Sequence, residues 1–381
     1  MGAAQRALPA VDILLSDDRR INSGFWDGMT AERPRIGLVL GGGGLKGFAH
    51  IGVLEVLHNA GISPVLLAGS SIGSLIASSY ALGTPVAKMR ERAMTLKRKD
   101  LFRVNTGGFA RGLLKSPSFY TAEPLRALIA GVIPDRRFDQ LSTPLLVNTV
   151  DLERGMQIVW GAPGFRNASI RDAVYASCAL PGFFPPGTVT GRVCVDGGTV
   201  DNMPVSACGD GLDLLIAVDV GNSEVEPAAD VTSEGIASIF MRSATLMMRT
   251  LQHAPLSTWN GHTPLVLIRP HVSRYGWFNF DKIPTLISAG AQATEEVLSS
   301  IPLALKAGHG IFPRQRVRVS VVRDKCTGCG QCIAMAPYAM TRGADGKATP
   351  RQSAFDWSPV DSDFTVHCPT DAIRLERTTL E

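Results

Sequence analysis

The sequence predicts an α/β fold joined to a smaller cysteine-bearing domain, on three observations. Short apolar, β-branched runs alternate with segments of helical periodicity. Two of the strand-to-helix turns are rich in glycine and serine. The composition changes near residue 312, and four of the seven cysteines fall beyond residue 325.

From Arg35 the run IGLVLGGGG reads as a strand ending in glycines, and LKGFAHIGVLEVLHNAGI has the Leu, Ile and Val spacing of a helix. PVLLAGSSIG followed by SLIASSYAL repeats the pattern, giving βαβα. LSTPLLVNTV, RVCVDGG, LDLLIAVDV and TPLVLIRP read as further buried strands, with helical SIRDAVYASCAL between two of them. Such alternation implies a sheet covered on both faces. IPTLISAGAQATEEVLSSIPLAL reads as one final helix, and KAGHGIFPRQR as the boundary after it. The expected division is an N-terminal extension over 1–33, a large domain over 34–312 and a small one over 313–381. No repeat period is apparent.

With 381 residues, 45% of them hydrophobic, the chain is long enough for two domains. Its 38 basic and 34 acidic side chains give only +4, without the concentrated basic patch that nucleic-acid binding requires. The first residues lack the apolar core and cleavage site of a secretory signal, and Arg6 stands where an acylation motif needs Ser or Thr. The uncharged stretch between His58 and Lys88 is broken by Pro64, Pro85, glycines and serines, which favours buried strand, turn and helix over a membrane span. The expected location is the cytoplasm, including peripheral, transient contact with a membrane surface.

Gly42, Gly44 and Gly47 fit GxGxxG, which alone is also a dinucleotide fingerprint. That reading wants an acidic residue closing the second strand, roughly 20 residues on. The second strand instead ends in Gly69-Ser70-Ser71-Ile72-Gly73, so no nucleotide cofactor is expected. GxSxG is a sharp turn that lifts its central hydroxyl above the sheet, making Ser71 the candidate nucleophile. Unobstructed glycine amides at a helix start supply oxyanion donors. For the base, His262 and His271 are available, but neither sits in a diagnostic setting. Asp196, delivered by an apolar strand into Gly197-Gly198, is the stronger candidate, with Asp201 and Asp219 as fallbacks. Lys46 orients the loop, meets an anionic head group or is simply a solvated lysine.

These three motifs together resemble the patatin-like phospholipase family, whose pattern is a GGGx(K/R)G loop, a GxSxG elbow and a DG(G/A) motif. ASCALPGFFPP and the DNMPV tail from Asp201 add to the likeness, which covers about residues 35–305. The resemblance implies a three-layer α/β/α hydrolase acting on lipid acyl esters. It implies a Ser71–Asp196 dyad without histidine and an oxyanion hole from the amides of Gly42, Gly43 and Gly44. Lys46, Gly47, Gly69, Gly73, Gly197 and Gly198 complete the motifs.

Cys326, Cys329 and Cys332 are spaced CxxCxxC, and Cys368-Pro369 follows at a distance. Three clustered thiolates and a remote Cys-Pro match iron–sulfur ligation better than zinc, which usually draws CxxC pairs from two knuckles. Residues 316–376 resemble a single-cluster ferredoxin of the bacterial [4Fe–4S] type, implying an α+β module, a cluster on those four cysteines and a redox partner protein. His367 reads as a flanking polar residue, and Cys178, Cys194 and Cys208 as small core side chains. Trp277, Phe278 and Phe280 form an aromatic cluster that either touches lipid or membrane or, the favoured reading, is buried packing. The competing reading is a membrane-docked electron carrier whose hydrolase fold only binds lipid.

Overall fold

The computed structural model describes residues 33–377 apart from 108–115, 117, 210 and most of 222–262. The N-terminal extension up to residue 32 and His262 therefore lie outside the described residues.

In chain order the large domain runs β1 (Ile36–Leu40), α1 (Ala49–Asn59), β2 (Leu66–Ser70), α2 (Ile72–Ala81), α3 (Val86–Thr95), α4 (Glu123–Val132), β3 (Leu145–Asp151) and β4 (Met156–Trp160). It continues with α5 (Ile170–Cys178), β5 (Gly187–Val189), β6 (Arg192–Asp196), β7 (Leu214–Val218), β8 (Leu265–Ile268), α6 (Ile283–Val297), α7 (Ser300–Ala307) and β9 (Ile311–Phe312). The strands form a nine-stranded sheet ordered β5-β6-β3-β2-β1-β7-β8-β9, with β4 pairing β3. Its centre is parallel, whereas β4 and β6 run antiparallel to β3, and β5 antiparallel to β6. The sheet is thus mixed.

Side chains alternate across a strand with period two, and here each face has its own core. Ile36, Leu38 and Leu40 enter one cluster with Leu214, Ile216 and Val218. Val39 enters the other, with Leu215, Ala217, Leu265 and Leu267. Burial on both faces is why the strands read as unbroken apolar runs.

One expectation is corrected and two strands are added to those expected. The final helix is two, α6 and α7: Pro302 has no amide for the interior of one long helix, and here it falls in the first turn of α7. The segment read as a boundary contributes β9, which pairs parallel with β8. MQIVW was not read as a strand because Met156 and Gln157 are exposed, yet it forms β4.

Beyond Phe312 a second body begins: β10 (Gln315–Val321), α8 (Gln331–Met335), the hairpin β11 (Met340–Arg342) and β12 (Ala348–Pro350), β13 (Ala354–Trp357) and β14 (Ile373–Arg377). Its sheet is ordered β13-β10-β14. Val317, Val319, Phe355, Trp357, Phe364 and Ile373 pack a separate core that includes Cys332.

The helix α1 reaches the sheet by crossing α6 very closely. A Cβ added at Gly52 would lie 1.9 Å from the Ile287 carbonyl oxygen, and one at Gly290 would lie 1.9 Å from that of Ala49. Gly52→Ala therefore opposes two effects: about 1 kcal/mol gained in helix propensity against about 1–3 kcal/mol of overpacking against backbone. We expect overpacking to win, lowering the denaturant midpoint at unchanged m. A raised midpoint would refute the close crossing.

Candidate active site

Immediately after β2 the chain turns into α2 at Ser71, whose backbone has φ 52° and ψ −131°. L-residues rarely adopt positive φ, and a non-glycine held there is strained. Two hydrogen bonds hold it. The Ser71 amide donates to Ser177 Oγ at 2.9 Å, and the Ser74 hydroxyl donates to the Ser71 carbonyl at 2.6 Å. The flanking residues are small because α2 starts against the end of β1: a Cβ on Gly73 would lie 2.0 Å from the Leu40 oxygen, and one on Gly69 2.6 Å from the Ser74 nitrogen.

The glycine loop lies beside this turn. A Cβ on Gly42 would stand 3.0 Å from that of Ser71. The Gly41 amide donates to Val218 O at 3.0 Å, and the Gly42 amide to Asn202 O at 3.1 Å. Asn202 Nδ2 returns a bond to Gly42 O at 2.9 Å. The Gly42 amide is thereby committed, which reduces the expected three-amide donor set to Gly43 and Gly44. Those two amides have no hydrogen-bond partner among the described residues. Gly47 passes against Ile72, where a Cβ would come within 2.1 Å of its Cγ2.

Asp196 ends β6 and is buried, with 2% exposure. Its carboxylate accepts the Gly198 amide at 2.8 Å and shares the cavity wall with the Ser71 hydroxyl. Burial pushes its pKa up to about 6, against the lowering effect of those two groups. Gly197 packs on Asn148, where a Cβ would lie 2.5 Å from the carbonyl oxygen.

Ser71 and Asp196 share an apolar cavity of about 80 Å³. Its walls include Leu45, Phe48, Leu101, Phe102, Leu125 and Phe278, and among the described residues no histidine lines it. Phe278 packs edge-on against Phe102 at 5.1 Å, and Trp277 also faces the cavity. Leu101, Phe102 and Leu125 escaped sequence reading, since cavity-lining apolar side chains share the periodicity of core residues. His50 is fully buried with Nε2 2.8 Å from the Gly41 oxygen, and burial lowers its pKa to about 4, so the neutral ring donates to that carbonyl. His271 lines a different cavity. Lys46 is buried, its pKa lowered to about 8 by desolvation against the pull of Asp219. Asp201 accepts Gln157 Nε2 at 3.2 Å and the Met203 amide at 3.1 Å, outside the cavity.

Residues 38–208 match the family described as Patatin-like phospholipase. They form a patatin-like phospholipase region. An uncharacterized NTE family protein of Mycobacterium tuberculosis (strain ATCC 25618 / H37Rv) is 33% identical over 219 residues, 56% of this chain and 58% of its own length. The Aspergillus fumigatus lysophospholipase nte1 is 32% identical over 193 residues, 49% of this chain and 12% of its own. The chain therefore spans less than two thirds of these relatives. VipD from Legionella pneumophila aligns at 16% identity with a TM-score of 0.39, covering 70% of this chain and 67% of that one.

Downstream of the patatin-like region, residues 319–375 match a 4Fe-4S single cluster domain. Cys326, Cys329, Cys332 and Cys368 line one cavity of about 20 Å³. The turn between them needs left-handed backbone at Gly328 and Gly330, with φ 71° and 82°. The Ala372 amide donates to Cys368 Sγ at 3.3 Å. Among the described residues no three His, Cys, Asp or Glu side chains converge on one point as ligands of a single ion would. His367 ends a 3-10 turn beside Cys368 and does not line the cavity. No helix of the described residues is long and apolar enough to cross a membrane.

The raised pKa of Asp196 has a stability consequence. Between its unfolded value near 4 and its folded value near 6 the native state binds the extra proton. Its stabilising contribution is complete below about pH 4 and lost as pH rises through 6, amounting to about 3 kcal/mol. Asp196→Asn should therefore flatten the fall in thermal midpoint between pH 4 and 7. A variant that follows the wild-type curve would show the carboxylate to be unperturbed.

Proposed function

We propose that the chain is a lipid acyl hydrolase of the phospholipase, lysophospholipase or esterase type, with Ser71 as nucleophile and Asp196 as its base. The placement of Ser71 and Asp196 together at the polar end of an apolar cavity carries this reading. Ser71 Oγ attacks the acyl carbonyl while Asp196 takes its proton, and the Gly43 and Gly44 amides receive the developing oxyanion. Asp196 returns the proton to the leaving alkoxide. It then deprotonates the water that releases the fatty acid from the Ser71 ester. Substrate is a lipid or fatty-acyl ester whose chain enters the Leu45–Phe48–Leu125 wall, and contact with a membrane surface is how that chain is reached.

We further propose that residues 34–312 form the hydrolase and 313–381 an iron–sulfur domain. The donor chemistry fits: a four-iron cluster takes one thiolate per iron, so four cysteines disposed around a cavity suit it. Cys326, Cys329, Cys332 and Cys368 would hold the cluster, which supplies one-electron chemistry that ester hydrolysis does not use. A redox partner protein follows from that reading.

Ser71→Ala and Asp196→Asn should each lower kcat/KM on a lysophospholipid or short-chain ester by at least about 10³ without loss of folded structure, whereas His271→Ala should retain it. Wild-type kcat/KM should rise through about pH 6 as Asp196 ionises. A fully active Ser71→Ala protein would end the proposal. Anaerobically purified protein should be brown with about four irons per chain, and Cys329→Ser should bleach it. A colourless, iron-free wild-type protein would remove the cluster assignment.

A further inference from the structure

Arg269 directly follows β8 and touches both bodies. Nη1 donates to the Pro359 carbonyl at 2.7 Å and lies 3.8 Å from Asp363 Oδ1, both beyond β13. Nε lies 3.4 Å from Asp219 Oδ2 in the hydrolase. Around this contact the seam between the bodies holds a cavity of about 410 Å³, lined from the hydrolase by Arg269 and His271 and from the module by Trp357 and Asp363. The guanidinium therefore acts as a pin across a loosely filled seam.

What the pin holds is the support of the glycine loop. Val218 O accepts the Gly41 amide at 3.0 Å, and a Cβ on Gly43 would stand 2.9 Å from Val220 O. Asp219 is the residue between, buried to 3% exposure, with Oδ1 accepting the Gly221 amide at 3.1 Å and its own amide donating to Ile268 O at 2.9 Å. On the module side, Asp363 opens the 3-10 turn Asp363–His367 that delivers Cys368. Only a planar fork spans such partners together, and a lysine ammonium engages one side at a time.

We propose that Arg269 is a positioning residue that couples the state of the cysteine module to the glycine loop beside Ser71. The chain of contacts is Cys368, the Asp363–His367 turn, Arg269, Asp219, the Val218–Val220 strip and the loop. Loss of order around the cysteines releases one end of the guanidinium and loosens the loop. The catalytic arm rests on the hydrolase reading above, and the structural arm does not.

The test uses the full-length protein with its iron in place and after removal by chelation. Hydrogen–deuterium exchange is read over residues 41–46, with kcat and KM on a lysophospholipid. In the wild type, iron removal should raise exchange over 41–46 and lower kcat several-fold at nearly constant KM. Arg269→Ala should show raised exchange and about tenfold lower kcat with its visible spectrum and iron content unchanged, and iron removal should alter neither further. Arg269→Lys keeps a cation beside Asp219 and should hold kcat near wild type while losing the response to iron removal. If Arg269→Ala fails to fold or to retain iron, the lysine variant decides. Wild-type exchange in Arg269→Ala, or an undiminished response to iron removal in Arg269→Lys, would overturn the coupling. A wild type without ester hydrolysis would fail the functional proposal alone, leaving the exchange result to judge Arg269.

Discussion

The backbone of Ser71 is the constraint on which the site depends. A residue at φ 52° costs free energy, on the order of 1–3 kcal/mol, and persists only where its surroundings over-determine it. Here they do so from three directions. The parallel pairing of Leu40 with Gly69 sets β1 and β2 in register, α2 begins hard against the end of β1, and the Ser177 hydroxyl of α5 captures the Ser71 amide. With Ser71 so fixed, β6 needs only its antiparallel pairing with β3, Thr149 opposite Asp196, to bring the carboxylate to the hydroxyl.

Burial then sets the electrostatics. Asp196, Lys46 and His50 are all removed from water, and each is pushed toward its neutral form, to about 6, 8 and 4 respectively. Their consequences differ because their partners do. His50 loses its charge outright and serves as a donor to the loop. Lys46 stays largely protonated at neutral pH with Asp219 opposing its desolvation. Asp196 remains ionised above pH 6, held by the Gly198 amide, yet more basic than an exposed aspartate.

The sequence revealed most where a period or a local motif recorded the structure. Both-face burial appears as unbroken apolar runs, so β1, β2, β3, β6, β7 and β8 were legible, and local motifs pointed to Ser71, Asp196 and the glycines around them as candidates. The half-exposed β4 and the two-residue β9 carry too little pattern to separate from loop. The break between α6 and α7 turns on one proline. The fate of the Gly42 amide is decided by Asn202, 160 residues away, a pairing no local reading reaches. The same holds for Arg269, whose partners lie on both sides of it in sequence at distances set by the fold alone.

The two sheets are joined by Pro313 and Arg314 alone, between β9 ending at Phe312 and β10 starting at Gln315. A joint of that length is a bracket and not a leash. A flexible tether would leave the second body free to sample space, and each docking would have to repeat the entropic loss of finding its seat. Growing one sheet almost directly out of the other incurs that loss once, during folding. A few contacts across the seam, Arg269 with Pro359 and Asp363 and Val360 against the first body's core, then help register the two bodies, where separate chains would need an extensive interface. Covalent continuity stands in for contact area.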